Sequence, residues 1–384
     1  IYIQDAQLES SLVATDVIKT TTTTGKAGIL ENTPRFDYSG GATCPSLLLE
    51  PSRTNLLEQS EYFGDSYWTK TNSIVSPNQT ISPDGTLNAN KYTLNATSAR
   101  STISTGVLSV GTIYTTSVFV KYDNVKYFYI SNAGAGAYRI VFDIENGTIV
   151  SNGSSVTSSK IESYGNGWYR CSAVFTAAYT TLYFKLSPNS NSATFTNTTD
   201  FGYIWGAQVE ASATYATSYI PTYGVSQTRA GELCVNAGDA STFNDSEGVL
   251  YAEISALAED ATFKTITINS GSNSNRINIW YWNNGTFKVD GHTNNVSQFN
   301  FDFAADLTLS NKIAVKYKAN DFSVFLNGLK INSDTSGTTP IGLNRLDFKA
   351  GDALYPFYGK TKEVIYFPTA LSDLDLAILT GATT

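Results

Sequence analysis

At 384 residues, 41% of them hydrophobic, 13% aromatic and only 15% charged, the chain has material for two or three domains and is too rich in core-forming side chains to be a disordered polyelectrolyte. Its net charge of −8, with no basic cluster, argues against nucleic acid as a partner, because neutralising phosphates needs a positive face. No apolar run reaches the ~20 residues that span a bilayer.

Thr, Ser, Asn and Gly dominate the polar residues, which is the vocabulary of strands and turns. The first element is one half of a repeated phrase. Tyr2, Ile3, Ala6, Gln7 and Glu9 match Tyr203, Ile204, Ala207, Gln208 and Glu210. After a one-residue gap, Ala14, Thr15, Ile18 and Thr20 match Ala216, Thr217, Ile220 and Thr222. The second copy closes a long β unit, so residues 1–24 are expected to be the closing strand of an upstream β unit. Residues 25–58 read as a connector broken by Pro34, Gly40, Gly41, Pro45 and Pro51, with one short apolar strand at 46–50. Residues 59–230 alternate strands with turn clusters. Strands are predicted at 114–120, 126–131, 139–144, 168–175 and 181–186, with hairpin signals at Asn146-Gly147 and Asn152-Gly153. Short strands at this spacing without helices predict a β-sandwich or jelly roll.

A composition shift at 231–248 separates a last domain, residues 245–384. Strands are predicted there at 249–254, 264–268, 276–282, 312–318, 346–350 and 359–367. Residues 322–326 and 329–331 flank Asn327-Gly328 as a hairpin. Only residues 370–380 have helical spacing, through Leu371, Leu374, Ile378 and Leu379, with Ser372 as the N-cap and Gly381 as the stop. The fold class is therefore all-β, as tandem β-sandwiches with one short C-terminal helix.

Pro34-Arg35-Phe36-Asp37-Tyr38, followed by Cys44 to Leu56 (with Leu47-Leu48-Leu49-Glu50-Pro51 and Ser52-Arg53-Thr54-Asn55-Leu56), resembles a connector found in many tailed-bacteriophage structural proteins. There it leads into a carbohydrate-binding-module-like sandwich. The accompanying phrases occur here in order: Ser60-Glu61-Tyr62-Phe63 with Trp68, Ser82-Pro83-Asp84-Gly85, Gly167-Trp168-Tyr169-Arg170-Cys171, Ala207-Gln208-Val209-Glu210, Ser218-Tyr219-Ile220-Pro221-Thr222 and Thr228-Arg229-Ala230. The resemblance covers residues 30–235. The last domain is similar to concanavalin A-like, laminin-G-type sandwiches through Phe325-Leu326-Asn327-Gly328, Gly359 to Phe367 and Ala370-Leu371-Ser372-Asp373. The resemblance implies a virion appendage such as a tail fibre, tail spike or head fibre, and favours a homotrimer. Laminin-G-type domains can hold Ca2+ with loop carboxylates and carbonyls. No dense Asp cluster supports that here, so no cofactor is expected.

Residues that could carry chemistry are few. The single histidine, His292, follows Asp290-Gly291 and reads as an exposed residue of a polar turn, not as the base of a Ser-His-Asp or Cys-His set. Histidine-rich metal sites are excluded by count. Cys44, Cys171 and Cys234 are too widely spaced for a zinc knuckle and read as small buried thiols. Asp143 and Glu145 read as a solvated hairpin, and Glu259-Asp260 as loop charges. No catalytic or metal-ligating residue is assigned.

Binding has more support. Sugar rings stack on aromatic faces while Asn, Asp and Gln take the hydroxyls. Strand alternation puts Ile277, Ile279 and Tyr281 on one face, the better core, and Asn278, Trp280 and Trp282 on the other. The two indoles are then either packed under a further layer or exposed as a platform rimmed by Asn283 and Asn284. Trp280, Trp282, Asn283 and Asn284 are the candidate ligand-binding residues. Trp68, Trp168 and Trp205 are expected in the core. The sequence thus predicts a non-enzymatic structural and adhesive virion protein. Its expected partners are host or environmental glycans and other virion proteins. A bacterial cell-surface adhesin, or the non-catalytic part of a polysaccharide depolymerase, stands as the alternative.

Overall fold

The computed structural model describes residues 33–38, 43–132, 138–192 and 194–382. The expected closing strand at 1–24, and with it the first copy of the repeat, lies outside the described residues. The described residues divide into two compact units: Ser52–Arg229 forms one, and those from 33 to 51 join those from Ala230 onward in the other. All strand pairing described below is antiparallel.

In the first unit two six-stranded sheets face each other. One runs, in spatial order, Thr148–Asn152, Arg139–Asp143, Tyr127–Ser131, Leu182–Ser187, Thr102–Thr105 and Thr69–Thr71. The other runs Val156–Ser163, Trp168–Thr176, Ile113–Lys121, Phe201–Ala211, Ala89–Leu94 and Ser73–Thr80. Alternate residues of both sheets, among them Val118, Val120, Phe128, Ile130, Phe142, Phe184 and Ile204, fill one core. Trp68, Trp168 and Trp205 are buried, as expected.

The phrases that carry the resemblance turn out to be fastenings. Asn55 is fully buried, and its amide donates to the carbonyls of Ala207 (3.0 Å) and Ile220 (2.8 Å) while its carbonyl accepts from Leu57 and Val209. Gln208 accepts from the Ile220 amide at 2.7 Å. Glu210 accepts from the Thr217 amide at 3.1 Å and from its hydroxyl at 2.5 Å. Arg170 donates to the Thr217 carbonyl at 2.6 Å. The entry strand, the long Phe201–Ala211 strand and the exit segment are thereby tied together by buried hydrogen bonds.

In the second unit a seven-stranded sheet runs Arg35–Asp37, Ser46–Leu49, Gly359–Phe367, Glu247–Ala256, Asn311–Lys318, Phe322–Leu326 and Leu329–Asp334. A five-stranded sheet runs Val296–Ala304, Thr286–Thr293, Arg276–Tyr281, Lys264–Asn269 and Arg345–Asp347. Their facing sides share a core that includes Leu250, Ile254, Ile266, Ile277, Val289, Phe301, Val315 and Val324. The outer face of the seven-stranded sheet is covered by the helix Asp373–Thr380, whose Leu376 packs with Val249, Tyr251, Ala314 and Phe325. Ser372 caps the helix by accepting from the Asp375 amide, and Gly381 ends it at φ 117°, as the sequence predicts. Asn327 and Gly328 take the positive φ values (48° and 90°) of a tight hairpin turn.

Three expectations are corrected. The segment read as a connector with one short strand supplies three, Arg35–Asp37, Ser46–Leu49 and Arg53–Asn55, with Leu47–Leu49 hydrogen-bonded in register to Thr361–Gly359. Arg35 then pairs with Glu50 and with Glu232, and Glu232 also accepts the Glu50 amide at 2.7 Å. This contact spans almost two hundred residues, so no local pattern announces it. His292 is not in a turn. It lies on the strand Thr286–Thr293, and the turn comes at Asn294 and Asn295, both with positive φ. Gly291 pairs within the sheet with Ile277 and Phe299, and the position takes glycine because a Cβ there would sit 2.3 Å from the Phe299 ring. Cys44 is exposed and Cys234 only half-buried, so only Cys171 is the buried thiol expected of all three.

Candidate functional site

The Arg276–Tyr281 strand alternates as predicted: Ile277, Ile279 and Tyr281 are at most 1% exposed and face the core. The opposite face is covered as well. Trp280 is 7% exposed, with its ring 5.6 Å from Tyr355 and 66° from coplanar. Tyr355 comes from the loop after the Arg345–Asp347 strand, and its carbonyl accepts from the Thr265 amide, which fixes the loop there. Trp280 and Trp282 stand 88° apart at 5.8 Å. They therefore do not form the flat exposed platform, and Trp280 is a packing residue.

Trp282 has a different place. Its main-chain N–H donates to Thr286 and its carbonyl accepts from Gly285, closing a turn. Asn284 holds the turn by accepting from the Thr286 amide (3.2 Å) and hydroxyl (2.6 Å), and Gly285 supplies φ 80°. Phe263 packs edge-on to the Trp282 ring at 4.5 Å, and the Lys288 ammonium lies 4.4 Å from the ring centre. The ring is thus half-buried but firmly oriented.

This turn forms one wall of a cleft of about 270 Å³, at the small end for ligand sites. Trp282, Asn283, Asn284 and Gly285 line it together with Glu259, Asp260 and Thr262, and Lys264, Tyr281, Leu307 and three alanines also contribute. Asn283 and Asn284 are exposed and Trp282 partly so. The structure therefore brings three of the four predicted residues to one cleft and leaves out Trp280.

Residues not assigned from sequence supply the rest of the lining. Lys264 is only 3% exposed. Its ammonium pairs with Asp260 and donates to the Thr262 hydroxyl at 2.8 Å, and Asp260 also accepts from that hydroxyl at 2.7 Å. The Lys264–Asp260 pair is internally neutral. The spacing Asp260, Thr262, Lys264 places these groups side by side at the start of the strand Lys264–Asn269, which is the sequence signal that could have found them. Glu259 is exposed at the rim. The Tyr281 hydroxyl is buried without a hydrogen-bond partner, and burial holds its pKa well above the ordinary phenol value.

His292 lies outside this cleft. Its ring nitrogens face Arg276 (3.5 Å) and Asp290 (3.9 Å), and burial together with the Arg276 charge lowers its pKa. Among the described residues no three His, Cys, Asp or Glu side chains converge as a metal site.

No family model matches the chain, and no curated protein does. Solved structures similar to it include the CBM40 module of the Ruminococcus gnavus IT-sialidase bound to α2,3-sialyllactose, with 18% identity over 38% of this chain and 91% of that one, at a TM-score of 0.32. A heptameric SAP-like pentraxin from Limulus polyphemus has 10% identity over 38% and 74% of the two chains, at 0.32. Domains LG4-5 of the mouse laminin α1 chain have 8% identity over 91% and 95%, at 0.27. At these identities and scores the likenesses carry nothing about what this chain binds.

Proposed function

We propose that this chain is a non-enzymatic adhesive protein of a phage particle surface, a fibre or decoration that binds host or environmental glycan through the cleft of its second unit. The observation that carries the binding reading is the cleft itself. An oriented indole, two exposed amides and a rim carboxylate surround a space of about 270 Å³. Aromatic carbon takes the C–H face of a sugar, and amide and carboxylate groups take its hydroxyls. Non-catalytic action is supported by the chemistry of the carboxyls. Glycoside hydrolysis needs two of them flanking the bond, and Asp260 is consumed by Lys264 and Thr262, leaving Glu259 alone. The virion assignment rests on the phrases of residues 30–235, as does the trimeric assembly. Trimers would repeat the weak site and raise the effective concentration of each copy.

The test is a glycan panel of bacterial surface polysaccharide fragments, read by direct binding with the wild-type chain and Trp282→Ala. Trp282→Ala is expected to weaken binding about tenfold, the equivalent of ~1.4 kcal/mol, with little change in melting temperature. Reducing ends should not accumulate during incubation. A variant that binds as tightly as wild type, or enzyme-dependent release of reducing ends, contradicts the proposal. Antibody labelling of purified phage particles, expected on an appendage, tests the virion assignment separately.

A further inference from the structure

The first unit carries an uncompensated positive cluster on the outer face of its first sheet. Along Leu182–Ser187, Phe184 and Leu186 point into the core, so Lys185 points away from it. Lys185 is nevertheless only 4% exposed. Its register partner on the adjacent strand is Tyr129, and Ser131 on that strand pairs in turn with Arg139. The Lys185 ammonium donates to the Ser131 hydroxyl at 2.9 Å and lies 5.0 Å from the centre of the Tyr183 ring. Arg139 lies over the Tyr129 ring at 5.5 Å. Arg100 adds a further positive charge close enough to act on Lys185. Residues 188–192 are held beside this face, because Tyr129 donates to the Asn189 carbonyl and Ser187 to the Ser192 carbonyl.

Among the described residues no carboxylate pairs with Lys185, Arg139 or Arg100. This contrasts with the other nearly buried lysines, Lys264 and Lys316, each of which has an aspartate. Burial, together with the nearby Arg100 and Arg139 charges, lowers the Lys185 pKa to about 8, with no acid opposing them. An ammonium has three donors, and the described residues satisfy one of them here. Burying a cation without an anion is costly, and a net charge of −8 makes local excess positive charge harder to attribute to composition.

We propose that the face formed by Lys185, Arg139, Arg100 and Tyr183 binds the anionic group of an acidic sugar. Guanidinium forks and an ammonium recognise carboxylate or sulfate oxygens, and the partly exposed Tyr183 offers an apolar wall to the ring that bears them. This site belongs to the other unit from the Trp282 cleft and does not depend on it.

Calorimetric titration of the full chain with tetragalacturonate, a sulfated galactan tetrasaccharide and neutral galactotetraose tests it. At least one acidic probe should bind about tenfold or more tightly than the neutral one, and salt should weaken that binding. The stronger of the two acidic probes identifies carboxylate or sulfate as the anion. Lys185→Met should weaken acidic binding about tenfold or more while leaving the melting temperature unchanged or higher, since it removes an unpaired buried charge. If Lys185→Met does not fold, the surface pair Arg100→Gln and Arg139→Gln decides, with the same expected loss. Acidic probes that bind no better than the neutral one overturn the proposal, as do charge variants that retain wild-type affinity. So does loss of acidic binding in Trp282→Ala, which would place the anion in the cleft.

Discussion

Asn55→Ala is expected to destabilise the first unit by about 3–5 kcal/mol, because it strands several buried backbone groups at once. Asn55 satisfies the carbonyls of Ala207 and Ile220 and the amides of Leu57 and Val209, all away from water. Alanine leaves each without a partner and opens a cavity. At this domain size a loss of 1 kcal/mol lowers Tm by about 2–4 °C, so a drop of roughly 6–20 °C should appear in thermal unfolding. Asn55→Asp should do no better, since a carboxylate cannot donate to the two carbonyls and brings a buried charge. A loss below about 1 kcal/mol for Asn55→Ala would mean that the entry strand and exit segment are not fastened through this residue.

The next largest effect is pH-dependent. Glu61 is 2% exposed, and burial raises its pKa to about 7. Hydrogen bonds from Tyr223, Tyr219 (3.1 Å) and Asn88 (3.2 Å) only partly offset that burial, and the Asp84 charge adds to the rise. The folded state therefore keeps the proton that the unfolded chain releases near pH 4.5. Below the unfolded pKa both states are protonated and stability is undiminished. Between about 4.5 and 7 stability is lost as pH rises, by roughly 3 kcal/mol in all. Glu61→Gln keeps the shape and removes the titration. The variant should match wild type near pH 4 and exceed it above pH 7 in denaturant unfolding. A stability difference that does not change between these pH values would contradict this account of Glu61.

Local alternation carried much of the fold. The Ile277, Ile279, Tyr281 face, the Asn327-Gly328 hairpin and the Ser372 and Gly381 helix ends each depend on neighbours within a few residues, and each is where the pattern put it. What was illegible depends on distant partners. Trp280 is hidden by Tyr355, seventy-five positions along the chain, so alternation could assign its face but not what covers it. His292 was misread because Asp290-Gly291 has the composition of a turn. The glycine is required there by the Phe299 ring, a cross-strand contact with no signature in the dipeptide. The connector was misread because its strands are completed by Gly359–Phe367 and Glu232. At the cleft, the aromatic and amide wall was visible as one short phrase. Asp260, Thr262 and Lys264 carried no special meaning until the fold brought them to the same cleft.

Glycan binding in the second unit is tested most directly by backbone amide NMR of the full chain during titration with the strongest-binding fragment of the polysaccharide panel. The account predicts saturable shifts concentrated at residues 256–264 and 281–285, the segments that line the cleft apart from Leu307, with the Trp282 indole N–H among the largest. Saturable binding that leaves these resonances in place, or no binding by any fragment of the panel, would contradict it.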